Sequence, residues 1–586
     1  MRTELPTGGE VGDGSLVTRH WSLPQRRRAQ VCLALLCLIV FAGASYRFTS
    51  LDRAYYREEV RIGAMPAWLA LPVPPPVGRF GPPDPPSPLP PVVIVQHGFS
   101  ASRQAMGWIV RGLVRNGFAV LAADFRGHGQ NPTSFNYAEL SDDIANLIAY
   151  AQRRPEVDGQ HIALVGHSMG AHAVYDYALR HADIDAVVPI SGSAPEGSTQ
   201  RPHNVLLIDA GGDPERIRLM SRAAMIRLTG RAGVALDVTD CDLRAGTGRR
   251  FVEVPRNDHV TILFSETPVR EIVDWLRGTW NLPPALFQPA PPGLVAAGLI
   301  AVIAGLLVFF PVAGFLAAAL LRARPLPGAP EIASKLTDNR LGDDRQQTHV
   351  IAHAGVGSVV CPSAVCCPTG LETASSAPGG VWMVAVAVVV AGIALLGGTP
   401  LSFMPFVAGN ELASFFLLAG ALYAVWLRWR RPPAAGAASE RFRAVLLGIV
   451  AFAVVYATFG VAVTRLFFNL LLDGQRCLWF VCVSILFLPL GIGLESALRP
   501  AGGGRAVARS LAAKGLLLAG LALAIFVFGT LPPVIGLMIP SLAIILPIIE
   551  AVAARLYAVS GSPIASGVLT ALFLAWIPAA IFPIGY

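Results

Sequence analysis

The sequence predicts two fold classes in one chain: an α/β domain with a mostly parallel sheet, and an all-α, multi-span transmembrane domain after it. Three observations carry this. Charged residues are frequent from Arg47 to Arg277, where short apolar runs alternate with amphipathic stretches. Beyond Leu294, long apolar runs follow in quick succession. Over all 586 residues the chain is 53% hydrophobic and only 14% charged, well below a typical soluble protein. That length also exceeds one ordinary domain.

Residues 1–30 read as a cytoplasmic segment ending in Arg26, Arg27 and Arg28. The apolar run 31–46 reads as a signal anchor. It could equally be a cleaved signal peptide, since Ala42, Gly43 and Ala44 have the small-x-small form of a cleavage site. Either way residue 50 onward lies outside the cytoplasm.

Residues 50–280 form the α/β domain. "EEVRIG" and "AWLALPV" suit an opening hairpin, and the proline-rich stretch 72–91 a stiff surface excursion between two strands. "VVIVQHG", "FAVLAADFRG", "HIALVGHS", "DAVVPISG" and "NVLLIDAGGD" are strand-like, with helical patterns such as "RQAMGWIVRGLVRNG" between them. Apolar strands alternating with amphipathic helices imply a parallel sheet covered on both faces. Ligands in such folds sit at the carboxyl ends of the strands, so the polar residues there are the candidates.

Gly166-His167-Ser168-Met169-Gly170 has a strand pattern before it and a helical one after it. Flanking glycines relieve a sharp strand-to-helix turn that would present the Ser168 hydroxyl above the sheet. A serine nucleophile needs a base and its acyl chemistry an oxyanion hole. "QHGFSAS" follows an earlier strand, and its Phe99 N–H can complement the N–H of Met169. His259, in the loop after "RRFVEV", stands where a base from the last strand belongs. His97 reads as loop support and His128 as part of a rim-shaping turn. The acid that orients the histidine is Asp213, in the turn after "NVLLID", or else Asp209 at the strand end. The order serine, acid, histidine matches one fold class.

With these motifs, roughly Tyr56 to Trp280 resembles the α/β-hydrolase superfamily. The similarity is to the branch of serine hydrolases with dienelactone hydrolase-like, monoacylglycerol lipase-like and serine aminopeptidase-like members. The resemblance implies a Ser168–His259–Asp213 triad, oxyanion donors at Phe99 and Met169, and no metal or organic cofactor. It leaves the substrate open, because one scaffold serves esterases, lipases and peptidases. The interval between Asp213 and His259 leaves room for a small lid around Glu215–Thr239.

A linker, 281–293, leads to the transmembrane domain, 294–586. Spans are expected at Leu294–Leu321, Val381–Gly397, Leu412–Leu427, Ala444–Val463, Cys477–Leu494, Gly515–Leu531, Val534–Val552 and Ile564–Ile584, with a cytoplasmic loop at 322–380. If the first segment runs outward, the inside loops hold fifteen basic residues, from Arg322 to Arg555, against Arg465 and Arg476 outside. That bias places the α/β domain on the extracytoplasmic side. Glu495 with Arg499, and Glu550 with Arg555, read as pairs at helix ends. Trp275 and Trp280 are expected near the bilayer surface.

The formal net charge of +8 sits mostly in those loops, which excludes a nucleic-acid groove as its main use. The eight cysteines include the run Cys361–Cys367, near His349 and His353, but its spacing fits no zinc pattern. The expected activity is hydrolysis of carboxylic esters, lipid or amphipathic, at the membrane. A peptidase or amidase on the same triad, or a non-catalytic sensor or transport accessory, are the rival readings.

Overall fold

The computed structural model describes residues 23–585 apart from 73–87, 193, 322–378, 399–400, 402–403, 431–436 and 500–502. Most of the proline-rich excursion, the loop 322–378 and the Cys361–Cys367 run therefore lie outside the described residues.

The first half is built on one sheet of nine strands: β1 (Tyr55–Ile62), β2 (Met65–Pro72), β3 (Pro91–Gln96), β4 (Ala119–Ala123), β5 (Asp158–His167), β6 (Ala186–Ile190), β7 (Val205–Ala210), β8 (Thr239–Asp240) and β9 (Arg249–Val254). Their spatial order is β1-β2-β4-β3-β5-β6-β7-β9-β8. β1 and β2 form the expected antiparallel hairpin and β8 is an antiparallel edge, while β4, β3, β5, β6, β7 and β9 run parallel. Every residue of β3, β4, β6 and β7 is buried, the signature of strands covered on both faces.

Helices α2 (Gly107–Arg115) and α6 (Glu266–Thr279) cover one face, with Ile109, Leu113, Val269 and Ile272 fully buried against Val93, Val165 and Ile208. Helices α3 (Leu140–Gln152), α4 (Met169–Arg180) and α5 (Glu215–Thr229) cover the other, through Ile144, Leu147, Val174 and Leu228. α5 occupies the segment expected as a lid. Its Ala224, Met225 and Leu228 are buried in the sheet core, so it is a packing helix, not a cover. Trp275 also belongs to the core, donating its indole N–H to Asn204 O at 3.3 Å, and Trp280 donates to Asp185 at 2.8 Å. Neither indole is left to anchor an interface.

Among the described residues, eight helices are long and apolar enough to cross a membrane. The first is the N-terminal run, Arg27–Thr49, and the rest lie between Leu294 and Ile581. Differences from expectation have local causes. The helix at Gly379–Ala394 is 16 residues long, short for a full crossing. The first span of the second half is interrupted at Val308, between α7 (Leu294–Leu307) and α8 (Phe309–Leu320). Pro311 has no N–H to give Leu307 O, so the ladder fails there. The expected boundary near Leu531 gives way to a break around Pro532 and Pro533, and the next long helix is Ile539–Ser560. Helices Gly474–Leu498 and Pro563–Ile581 pack backbone to backbone, since a Cβ on Gly567 would lie 2.5 Å from Ile492 Cα.

Arg476 ties the two halves together. The sequence puts it in a loop, but it is only 3% exposed in the first turn of Gly474–Leu498. Its Nη1 donates to the carbonyls of Ala579, Ala580 and Phe582 at 2.9–3.1 Å. Its Nε and Nη2 donate to Gly129 O at 3.0 Å and Gly127 O at 2.9 Å, in the loop after β4. Ile584 adds two backbone bonds to that loop, receiving one from Phe135 N at 2.6 Å and giving one to Gly127 O at 2.9 Å.

Candidate active site

β5 ends at His167 and α4 begins at Met169, leaving Ser168 alone at the corner with φ 54° and ψ −115°. A non-glycine residue held there is strained, and persists only where its surroundings fix it. The surroundings are tight. A Cβ on Gly170 would lie 2.5 Å from His97 O, and one on Gly98 would lie 3.0 Å from Ser168 Cβ. Only glycines let the β3 loop, the corner and α4 approach this closely.

His259 lies on the loop after β9. Its Nε2 is 3.0 Å from Ser168 Oγ, and its Nδ1 is 2.6 Å from Asp213 Oδ1. Asp213 Oδ2 accepts from Ser191 Oγ at 2.6 Å and from Ala210 N at 2.7 Å. Burial pushes the Asp213 carboxyl up, but the bonds from His259 and Ser191 outweigh it and hold it below its usual value. An ionised carboxylate only accepts, so Nδ1 carries the proton and Nε2 presents a lone pair to Ser168.

Asp209 is set apart. It lies one residue before the end of β7, is 1% exposed and makes no bond to His259, and burial raises its pKa to about 8. Of the two candidate acids, Asp213 is the one the fold brings to the histidine.

Phe99 and Met169 flank Ser168. Met169 opens α4, so its N–H has no intrahelical partner, and Phe99 sits in the turn closed by Ala101 N to Gly98 O at 3.2 Å. His97 is tied down on both sides: Nδ1 is 2.8 Å from Gly98 O, and Nε2 accepts from Phe125 N at 3.0 Å. It shapes the loop and does not reach the serine. His128 is wholly buried, packed edge-on to Phe99 and Phe135.

Sequence reasoning missed three supports. Ser191, at φ 48°, closes the acid's second oxygen. His167 bonds His259 O through Nε2 at 2.8 Å, and burial drops its pKa to about 3, keeping it neutral. Asp124 accepts from Arg103 N at 2.8 Å and from the Arg103 guanidinium, fastening the "QHGFSAS" loop to the end of β4. Ser191-Gly192 ending an apolar run was the one available signal for these.

Ser168 and His259 open into a cavity of about 350 Å³ with two unlike walls. Phe99, Val260 and Leu263 form one; Phe459, Leu542, Trp576 and Ile577, from the second half, form the other. No Asp, Glu, Lys or Arg lines it among the described residues.

Parts of the chain are similar to known proteins. The family described as serine aminopeptidase, S33, matches residues 88–207, a segment that includes Phe99, Ser168 and Met169 and stops before Asp213 and His259. A mouse sn-1-specific diacylglycerol lipase, ABHD11, is 29% identical over 116 residues, 19% of this chain and 36% of that protein. An uncharacterized 31.7 kDa protein of Escherichia coli is 28% identical over 102 residues, 17% of this chain and again 36% of its own. The chain thus spans about a third of the length of these curated relatives. Among solved structures, a dienelactone hydrolase from Anabaena variabilis aligns at 18% identity over 38% of this chain and 97% of its own, with a TM-score of 0.29. The matched segment and the sheet make this half of the chain an α/β-hydrolase domain; of the eight candidate membrane spans among the described residues, one precedes it and seven follow it.

Proposed function

We propose that this protein is a multi-pass membrane serine hydrolase that cleaves carboxylic esters of lipid or amphipathic character. The observation that carries the reading is the relay from Ser168 Oγ through His259 to Asp213, at 3.0 and 2.6 Å, opening into an apolar cavity. His259 Nε2 takes the Ser168 proton as Oγ attacks the ester carbonyl. The oxyanion is held by the Phe99 and Met169 N–H groups, each worth on the order of 3 kcal/mol. Collapse expels the alcohol, which leaves with the proton from His259, and the acyl group stays on Ser168. Water, deprotonated by His259, then releases the acid. The basic residues of the expected inside loops support an extracytoplasmic hydrolase half.

Amide cleavage by the same triad is the second reading, favoured by the aminopeptidase description of the matched family. An aminopeptidase needs a group to pair with a free amino terminus, and among the described residues the cavity offers no carboxylate. Labelling intact cells with an impermeant fluorophosphonate tests nucleophile and sidedness together. Ser168 is expected to react and Ser168→Ala to lose the label. A folded wild-type protein that takes no label, even after permeabilisation, would sink the catalytic reading.

A further inference from the structure

We propose that the helices of the second half are the acyl-binding site of this enzyme, and that a single acyl chain enters it sideways from the bilayer, past Ile544. This rests on the ester-hydrolase reading above. In this arrangement the helical half supplies the substrate pocket itself, beyond any anchoring it gives.

The cavity's size suits one chain. At about 350 Å³ it falls at the small end of the roughly 300–1,000 Å³ typical of ligand pockets, too small for a whole two-chain lipid. Its chemistry suits a tail, with uncharged lining among the described residues and the Trp576 indole N–H already given to Leu470 O at 2.8 Å. Ser541, Leu542 and Ile545 line it from one face of the helix Ile539–Ser560, the spacing that brings side chains onto a common stripe.

The direction of entry follows from Ile544. It lines the same cavity and yet is 67% exposed on the outer surface of a helix apolar enough to span a membrane. The space beside Ser168 thus reaches a surface that would face hydrocarbon. An apolar mouth opening to water would be costly, whereas one opening to lipid tails replaces like with like.

Asn469 also lines the cavity, but it is 4% exposed and its Oδ1 accepts from Leu471 N at 3.3 Å, so its amide is tied to its own loop and adds little polarity to the wall.

The test uses the full-length protein in phosphatidylcholine nanodiscs. A palmitoyl probe bearing a terminal diazirine is expected to crosslink, in wild type and in Ser168→Ala, to the peptide containing Ser541–Ile545. Crosslinks confined to other segments would overturn the proposal. In kinetics, Ile545→Trp is expected to lower the ratio of kcat/KM for p-nitrophenyl palmitate over acetate about tenfold, the worth of roughly two excluded methylenes. Fluorophosphonate labelling of Ser168 checks that this variant is folded. Should it fail to fold, Leu542→Ala widens the same wall and is expected to raise the ratio. An unchanged ratio in a folded variant counts against the proposal. If wild type neither hydrolyses esters nor labels at Ser168 while the crosslink persists, the catalytic reading falls and the acyl site stands.

Discussion

Two buried polar assemblies differ in one respect that separates chemistry from scaffolding. In the hydrolase half, Asp213, His259 and Ser191 are fully engaged, but Ser168 Oγ faces a cavity from a strained corner. In the helical half, Arg499 bonds Glu495 and Glu550 at 2.5 Å each, while Lys514 and Ser510 close on Glu550 at 2.5 Å. Two carboxylates meet two cations, and all four side chains are almost wholly buried. The sequence reading paired Glu550 with Arg555 at an interface. Residues five apart on a helix do not share a face, and Arg555 Nε instead donates to Phe310 O at 2.9 Å. One assembly keeps a reactive atom open and the other is sealed. A sealed cluster of matched charge holds helices together, and an open one is where reaction can occur.

Breaking the open assembly should have the largest effect. Ser168→Ala is expected to cost on the order of a millionfold in kcat, and Asp213→Asn about ten-thousandfold, read by ester hydrolysis in detergent. Asp209→Asn should stay within a few-fold. If the two aspartate variants lost activity equally, Asp213 would not be the orienting acid. Breaking the sealed assembly should act on stability instead. Arg499→Ala leaves two buried carboxylates short of a partner and is expected to cost about 3–5 kcal/mol in unfolding measurements, with kcat per folded molecule unchanged. A comparable loss of kcat in the folded fraction would mean the cluster is coupled to catalysis.

Arg476→Ala strips a clamp whose five bonds go to carbonyls of both halves. It should lower the thermal midpoint and raise protease cleavage between the halves. The remaining effect is pH-dependent. Asp209 has its folded pKa raised to about 8, so the folded state holds a proton the unfolded chain gives up near pH 4. Its stabilising contribution is therefore complete below about pH 4 and is lost as pH rises toward 8. Asp209→Asn should flatten the dependence, raising the midpoint at pH 8 more than at pH 5.

The hydrolase fold was legible because its signals are local. Strands buried on both faces must be continuously apolar, and a G-x-S-x-G between strand and helix can hardly be read another way. The candidate triad residues were legible as strand-end polar groups, and the choice between Asp213 and Asp209 needed three dimensions. Ser191, His167 and the Arg103–Asp124 pair were not legible, because they act through residues distant in sequence. The helical half was legible as apolar spans but not as a cavity wall. An apolar side chain looks the same in sequence whether it faces lipid, a neighbouring helix or a substrate tail. Arg476 illustrates this most sharply, since counting it as a loop cation hid its place in the interior.

That arginine also bears on how the protein can be cut. Gly127 and Gly129 lie in the hydrolase half, yet the donor that satisfies them comes 349 and 347 residues later. A fragment ending near residue 280 would keep the whole sheet and all three candidate triad side chains, and so would pass as a self-sufficient enzyme. It would also carry two uncapped carbonyls beside the active-site loop and a reaction centre with one wall missing. Assays on such a fragment would describe a different catalyst, one whose preferences are set by water on the side where the intact molecule has helices.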